Sequence, residues 1–245
     1  MNNRRKLLDE LFRIYNPDVF LLLLTHGINK ENKEPVSLFQ GVFDNDNSVI
    51  SQNPRSIKIM DSGILLLEKM FKDNKYIKIM KNHFYKCLAI LDSNKYKEEM
   101  ELLLSFGGFF KKVSNNIKKS EKNYNNKDRY DCFVLSMFVI SLIEKLLRNL
   151  IYKEINDPKN DNFDYLNLNS ILSSNNEMLN KILGIEVIKI LRYWLTIDQD
   201  YGEGLNLRNK LMHGIDIKFS DFNKWFLLSL FYLFLLVVNS MIVYE

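Results

Sequence analysis

Cysteine and histidine are scarce in this sequence, which holds two cysteines and three histidines in 245 residues. Cys87 and Cys132 lie far apart, with no Cys-x-x-Cys motif and no histidine paired with them. This spacing argues against a disulfide framework and against the common zinc-binding motifs. We therefore expect both cysteines to be reduced core residues of a cytosolic protein.

Recognisable phosphate and metal sites are also lacking. Gly202 and Gly204 are too short a signal for a glycine-rich phosphate loop. Asp198, Asp200 and Glu203 lack ligand partners at a defined spacing, and they suit a turn that precedes a helix N-terminus. We expect no metal and no cofactor. The chain has no internal repeat, and its charged first ten residues do not resemble a signal peptide, so we expect a cytoplasmic location.

The composition allows one large domain or two small ones. Hydrophobic residues make up 47% of the chain, which is ample for a core, and charged residues make up 26%, as is usual for a soluble protein. The net charge of +4 is compatible with an RNA partner but does not require one.

Apolar residues recur at helical spacing along most of the chain and predict an all-α fold. The predicted helices cover residues 7–14, 62–91, 96–112, 128–155, 176–197, 205–212 and 221–244, with Ser62 as an N-cap and a break at Asp73-Asn74. Residues 19–24 fit a helix or a buried strand equally well, and residues 29–55 predict a loop with a small strand pair.

The lysine- and asparagine-rich residues 111–129 are interpreted as a boundary. It would divide an N-terminal, mainly helical region, residues 1–120, from a C-terminal helical domain, residues 128–245. The boundary itself is either a solvated linker or exposed helix end, or a basic segment that contacts an RNA backbone. We expect His83, between Lys81 and Lys86, to be exposed, and His26, before Gly27, to end a helix rather than to bind a ligand.

Residues 225–244 form a nearly unbroken apolar run. As a helix this run is about 30 Å long, which meets the length requirement for a membrane span. Ser229, Asn239 and Ser240 interrupt it and favour a helix buried in a bundle or a dimer. Both interpretations stay open from the sequence.

The most informative stretch is residues 204–214, Gly-Leu-Asn-Leu-Arg-Asn-Lys-Leu-Met-His-Gly. Asn209 and His213 are four residues apart and share one face of the predicted helix, whereas Arg208 lies about 140° around the axis from His213. Arg208 and His213 therefore cannot act side by side on one straight helix. Either the chain leaves the helix at His213, or the two residues meet across a two-fold axis from two subunits.

Arginine with histidine suits the cleavage of RNA without metal. The guanidinium of Arg208 offers a planar set of donors to a phosphate, and the imidazole of His213 can exchange a proton near neutral pH. Two simpler interpretations remain. The pair occurs by chance in some sequences, and a histidine beside Gly214 also suits the C-terminal end of a helix.

The fuller string Arg-Asn-x3-His-Gly, which precedes a strongly apolar last helix, resembles the motif of the HEPN superfamily, the higher eukaryote and prokaryote nucleotide-binding domains. The hallmark of that superfamily is an arginine, four to six residues, then a histidine, often with a polar residue after the arginine. Arg208, Asn209 and His213 match it. The flanking residues 204–207 and Gly214 are similar to a bacterial subgroup with an N-terminal extension.

The resemblance implies a four-helix bundle from residues 128–155, 176–197, 205–212 and 221–244, and a homodimer with its RNA-cleaving cleft at the two-fold axis. Arg208 would hold the phosphate, His213 would act as general acid or base, and Asn209 would fix the ring of His213. HEPN proteins often carry an acid opposite the motif, so Glu144 would orient Arg208 or His213. Otherwise Glu144 and Arg148 form an ordinary half-exposed ion pair.

We also expect Lys210 and Arg148 to contact RNA. By resemblance the protein would be a metal-independent endoribonuclease in toxin or antiviral defence, with an antitoxin or another defence protein as a partner, and its N-terminal region would be a sensor. Two other functions stay open. One is a non-catalytic nucleotide- or RNA-binding module, and the other is a regulator anchored to a membrane by its last helix.

Overall fold

The computed structural model describes residues 17–28, 35–39, 54–90, 101, 108–154, 168–172, 177–196, 204–213 and 217–244. These residues form ten α-helices and one two-stranded antiparallel hairpin, so the predicted all-α fold is confirmed. In chain order the elements are α1 (Pro17–Leu23), β1 (His26–Ile28), β2 (Pro35–Ser37), α2 (Pro54–Phe71), α3 (Asn74–Ile90), α4 (Phe109–Lys118), α5 (Asn126–Glu154), α6 (Leu168–Ile171), α7 (Glu177–Leu183), α8 (Ile185–Leu195), α9 (Leu207–His213) and α10 (Lys224–Tyr244).

Helix α10 lies at the centre of the protein. It is apolar on every side, and a helix of this kind is stable in water only when it is surrounded. It packs against α5, α2 and α7, and also against α8, α3 and α4. By length and composition α10 is one candidate membrane span in the described residues, but 83% of its most apolar window is buried inside the protein. The packing is therefore that of a core helix.

Helix α5 is the longest element, and its bounds confirm the predicted helix within two residues. One side, which includes Ile143, Leu146 and Leu147, is buried against α10 and its neighbours. The opposite side is half-exposed and carries Tyr130 and Glu144. This long helix therefore presents a continuous side to solvent while its other side belongs to the core.

Several predicted boundaries are wrong. Helix α2 begins at Pro54, so Ser62 is an internal residue and not an N-cap. The predicted helix 176–197 is broken at Gly184, which has a φ of 83° and separates α7 from α8. The break at Asp73-Asn74 is confirmed, and residues 19–24 lie mostly in α1, a helix, and not in a strand.

Residues 111–129 do not form a solvated linker. Helix α4 begins after Gly108, whose φ is 72°, and it buries Val113, Ser114 and Ile117. The hydroxyl of Ser114 donates to the carbonyl of Phe71 at 2.7 Å, which ties α4 to the end of α2. Of the predicted helix 96–112, residues 96–100 and 102–107 lie outside the described residues, as do residues 7–14.

Buried side chains from α1 to α4 belong to the same hydrophobic cluster as those from α5 to α10. The division into residues 1–120 and 128–245 stays a prediction. The two cysteines, Cys87 and Cys132, are free and buried as predicted, and burial raises the pKa of both thiols to about 12.

Helices α2 and α10 lie close together at Gly63. A Cβ at this position would lie 2.2 Å from Cε2 of Tyr232. Glycine inside a helix costs about 0.5–1 kcal/mol relative to alanine, so its presence here is explained by the ring of Tyr232. The hydroxyl of Tyr232 in turn donates to the carbonyl of Leu24 at 3.1 Å.

A buried polar network joins the N-terminal segment to α10. Asn239 donates through Nδ2 to the carbonyl of Leu21 at 3.1 Å and to Oγ1 of Thr25 at 2.7 Å. Its Oδ1 therefore accepts from Nε2 of His83 at 3.1 Å. His83 is 5% exposed, and its Nδ1 lies 3.4 Å from Oδ1 of Asp18. The prediction of an exposed His83 is wrong because α1 and α10 cover this side of α3.

His26 belongs to the same network and is not a helix-end residue. It lies in β1 with 3% of its surface exposed. Ser240 donates to the carbonyl of Leu236, so its Oγ is an acceptor for Nε2 of His26 at 3.4 Å. The hydroxyl of Thr25 lies 2.9 Å from Nδ1 of His26. This arrangement suits a neutral imidazole, and burial lowers the pKa of His26 to about 4.

We expect acid to destabilise the fold through His26. In the unfolded chain this residue takes up its proton near pH 6.5, whereas in the folded protein it does so only near pH 4. The free energy of unfolding should therefore fall by about 3 kcal/mol as the pH drops from 6.5 to 4, and it should change no further through this residue below that range. Titration of the His26 ring by NMR in the folded protein measures this directly, and a midpoint near 6.5 would contradict it.

Candidate functional site

The motif residues lie on α9, a short helix that packs on α5 and α8. Leu207 and Leu211 bury one side of it. Two backbone bonds secure the segment before the helix, because the N–H of Leu205 donates to the carbonyl of Tyr193 at 2.6 Å and that of Asn206 donates to Thr196 at 3.2 Å. The predicted helix is thus confirmed, and it ends one residue later than predicted, at His213.

Asn206 determines where α9 begins. Its φ is 50°, and among the described residues no other non-glycine residue has a positive φ. Asparagine adopts this left-handed conformation more readily than most residues other than glycine. The carbonyl of Asn206 accepts from the N–H of Lys210 at 3.0 Å and so closes the first turn of the helix. Only the enrichment of asparagine at positive φ in front of a helix could have indicated this residue from the sequence, and that signal is weak.

Glu144 of α5 brings two arginines together. Its Oε1 accepts from Nη2 of Arg148 at 2.8 Å, and its Oε2 accepts from Nε of Arg208 at 3.3 Å. The side chains of Glu144, Arg148 and Arg208 are 16%, 22% and 31% exposed. The sequence suggested either an ion pair of Glu144 with Arg148 or a contact of Glu144 with the motif, and the structure shows both contacts. Its catalytic role stays a prediction.

The charge of this cluster is well defined. Burial alone would raise the pKa of Glu144, but the hydrogen bond from Arg148 and the charge and hydrogen bond of Arg208 outweigh burial and lower it. One carboxylate therefore binds two guanidinium groups at a partly exposed position. A planar, positively charged donor set of this kind is suited to a phosphate group.

Asn209 and His213 are less closely connected to this cluster. Oδ1 of Asn209 accepts from Nη1 of Arg208 at 3.1 Å. Within the described residues no hydrogen bond joins Asn209 to His213, so the expected support of the His213 ring is not seen in this chain. His213 is exposed and is the last residue of α9.

Both arrangements considered from the sequence stay predictions. Helix α9 ends at His213, and residues 214–216 lie outside the described residues. Within α9 itself, Arg208 and His213 lie about 140° apart around the helix axis. A shared site therefore needs either a departure of the chain from the helix at His213 or a second subunit.

Lys210 is half-buried on the same helix, next to Asn209, and the described residues provide it with no ion pair.

No group of three or more histidine, cysteine or acidic side chains that could hold a metal ion occurs in the described part of the chain. The acids at residues 198–203 lie outside that part. An apolar cavity of about 310 Å³ between α1, β2 and α2 contains none of the candidate site residues in its lining.

No protein-family model, curated protein or solved structure matches this chain. The assignment of the site therefore depends on its motif and on the contacts described above.

The left-handed conformation of Asn206 generates a stability prediction. Asn206→Gly should remain close to the wild type because glycine adopts a positive φ without strain. Asn206→Val should lower the free energy of unfolding by about 1–2 kcal/mol more than Asn206→Gly does, because a branched side chain is strained there. Thermal or urea unfolding of both variants measures the difference. Equal stability of the two variants would contradict the role of Asn206 in starting α9.

Proposed function

We propose that this protein is a metal-independent endoribonuclease of HEPN type that acts as a homodimer. The observation that carries the proposal is the contact of Arg208, from the Arg-Asn-x3-His motif, with Glu144 and through it with Arg148. The carboxylate of Glu144 holds the two guanidinium groups beside each other at a partly exposed position, and such planar donor groups suit a phosphate. The exposed His213 lies on the same short helix.

In the proposed reaction the 2′-oxygen of a ribose attacks the adjacent phosphorus and the bond to the 5′-oxygen breaks. The products are a 2′,3′-cyclic phosphate and a 5′-hydroxyl. His213 takes the proton from the 2′-hydroxyl or gives one to the leaving 5′-oxygen. Arg208 stabilises the charge that develops on the phosphate oxygens, Arg148 and Lys210 hold the RNA backbone, and Glu144 and Asn209 orient the guanidinium of Arg208.

The geometry of α9 supports a site shared between two subunits. Arg208 is directed to Glu144, and His213 points about 140° away around the helix. A two-fold axis beside α9 would bring His213 of each subunit towards Arg208 of the other. A symmetric dimer would then have two such Arg–His pairs.

By the same proposal the protein is cytoplasmic and serves in toxin or antiviral defence, with an antitoxin or defence-system protein as its partner. The burial of α10 within the protein supports a soluble protein over a membrane-anchored regulator. The N-terminal helices are the proposed sensor. They pack against α10, and α10 also packs against α5, which carries Glu144 and Arg148.

A non-catalytic RNA-binding module is the second candidate function. The observation that favours it is the absence of any described contact between His213 and the arginine cluster. Such a module would bind RNA through Arg208, Arg148 and Lys210 and leave it intact. Incubation of the purified protein with labelled RNA in EDTA distinguishes the two functions, because only the endoribonuclease yields shorter products.

The first functional prediction concerns His213. His213→Ala should reduce the rate of RNA cleavage in EDTA by at least ~10²-fold, the usual contribution of a general acid or base. Because the side chain of His213 is exposed, the unfolding midpoint of the His213→Ala variant should equal that of the wild type. Lys78→Ala, which removes an exposed side chain on α3, serves as the matched control and should retain full activity. Cleavage that survives His213→Ala would remove this residue from the mechanism.

The second functional prediction tests the shared site. Arg208→Ala and His213→Ala homodimers should each be inactive. After equal mixing and subunit exchange, half of the dimers are heterodimers with one intact Arg–His pair across the interface, so activity should recover to about a quarter of that of the wild type. If both residues of a site came from one chain, no heterodimer would contain a complete pair. Continued inactivity after confirmed exchange would therefore rule out the shared site.

A further inference from the structure

Five aromatic side chains form a continuous cluster at the N-terminal end of α5. The ring centroids of Phe133 and Phe222 are 5.0 Å apart, and Phe222 contacts Phe226 at 5.7 Å. Tyr130 lies 6.4 Å from Phe133, and Phe219 lies 6.2 Å from Phe222. We call Tyr130 and Phe219, the two outer members of this cluster, the aromatic patch.

The aromatic patch is exposed although the cluster behind it is packed. Tyr130 is 58% exposed and Phe219 is 45% exposed, whereas Phe222 is buried. Arg129 fixes the patch because its Nη1 donates to the carbonyl of Ser220, and it also lies 3.5 Å from the carbonyl of Phe222. These bonds hold the turn at residues 219–221 against α5. Two large rings are thus presented to solvent in a defined arrangement.

The aromatic patch lies on the same side of α5 as the candidate site. Tyr130 and Glu144 are fourteen residues apart, which corresponds to about 21 Å along the helix and about 40° around it. Helix α9 contacts α5 at Glu144, and the turn at residues 219–221 contacts α5 at Arg129. The arginine cluster and the aromatic patch therefore stand at two points along one half-exposed side of a single rigid helix.

The surroundings of the aromatic patch are mildly positive. Residues 118–131 and 217–222 include six lysines and arginines against four acids. Two of those acids have partners, since Asp128 binds Lys119 and Asp221 accepts from the backbone N–H of Lys218. Lys122, Lys127 and Lys218 are exposed. Proteins bind single-stranded nucleic acid with exposed rings beside positively charged side chains, because bases stack on the rings and phosphates pair with the charges.

We infer that Tyr130 and Phe219 stack unpaired bases of the RNA whose backbone the arginine cluster holds. This inference rests on the proposed function and adds to it a second site of contact with the substrate. Paired bases have no free face to offer, so this site binds only unpaired ones. Lys122 and Lys127 are exposed lysines that precede Tyr130 in the chain by eight and three residues. The RNA strand runs along the half-exposed side of α5 between the two sites.

Binding of a short labelled RNA to the full chain, measured by fluorescence anisotropy, tests this inference. His213→Ala is used as the background so that the RNA stays intact. Adding Tyr130→Leu and Phe219→Leu together keeps the apolar bulk but removes both π faces, and it should weaken single-stranded RNA binding at least about tenfold. Binding of duplex RNA should not change. Adding Tyr130→Phe and Phe219→Trp instead keeps two rings and should preserve binding.

Tyr85→Leu is the matched control, because Tyr85 is 53% exposed on α3, away from this side of α5, and its loss should leave binding unchanged. Equal affinity of the double leucine variant and its background would overturn the inference, as would an equal loss for duplex RNA or no binding of RNA at all. A change of oligomeric state in sedimentation, with RNA affinity intact, would make the aromatic patch a protein interface and would also overturn it.

The outcomes for the aromatic patch and for the proposed function are separable. If the patch binds RNA but the wild type cleaves none in EDTA, the endoribonuclease proposal fails and the stacking site stands. If the wild type cleaves RNA, and a Tyr130→Leu, Phe219→Leu variant that retains His213 cleaves it with the same KM, the stacking site fails and the endoribonuclease proposal stands.

Discussion

The structure depends on the burial of α10. A helix without a polar side must be covered in every direction, and no single neighbour is large enough to cover it. Helices α2, α5 and α7 therefore surround it, and they come from parts of the chain that are far apart. This requirement explains Gly63, which removes a side chain where the ring of Tyr232 needs the space. The burial of α10 also brings the N-terminal helix α2 into direct contact with α10, which in turn packs against α5.

The few polar groups of α10 determine how the N-terminal segment lies on it. Asn239 bonds to Leu21 and Thr25, and Ser240 and Tyr232 bond to His26 and Leu24. A buried amide with unsatisfied donors is costly, so any displacement of this segment breaks several bonds at once. His83 completes the network from α3. Apolar burial thus provides most of the stability, and these bonds select one arrangement among similar ones.

The candidate site depends on this core through α5. One side of α5 is packed on α10, so the other side is rigid and can position Glu144 against Arg208 without support from a loop. Asn206 provides a second constraint, because its left-handed conformation sets the start of α9. The positive charge at Arg148 and Arg208 and the rings at Tyr130 and Phe219 are then fixed relative to each other by one helix.

The sequence by itself determined the helical class, the long helices α5 and α10 and the motif on α9, because hydrophobic periodicity and motif spacing are local properties of the chain. Tertiary structure alone decided whether each polar residue on those helices is covered. His83 carries lysine neighbours like a surface residue, yet α1 and α10 bury it. The contact of Glu144 with Arg208 joins residues 64 positions apart. Such contacts depend on how separate helices meet, and the local pattern of a sequence does not contain that information.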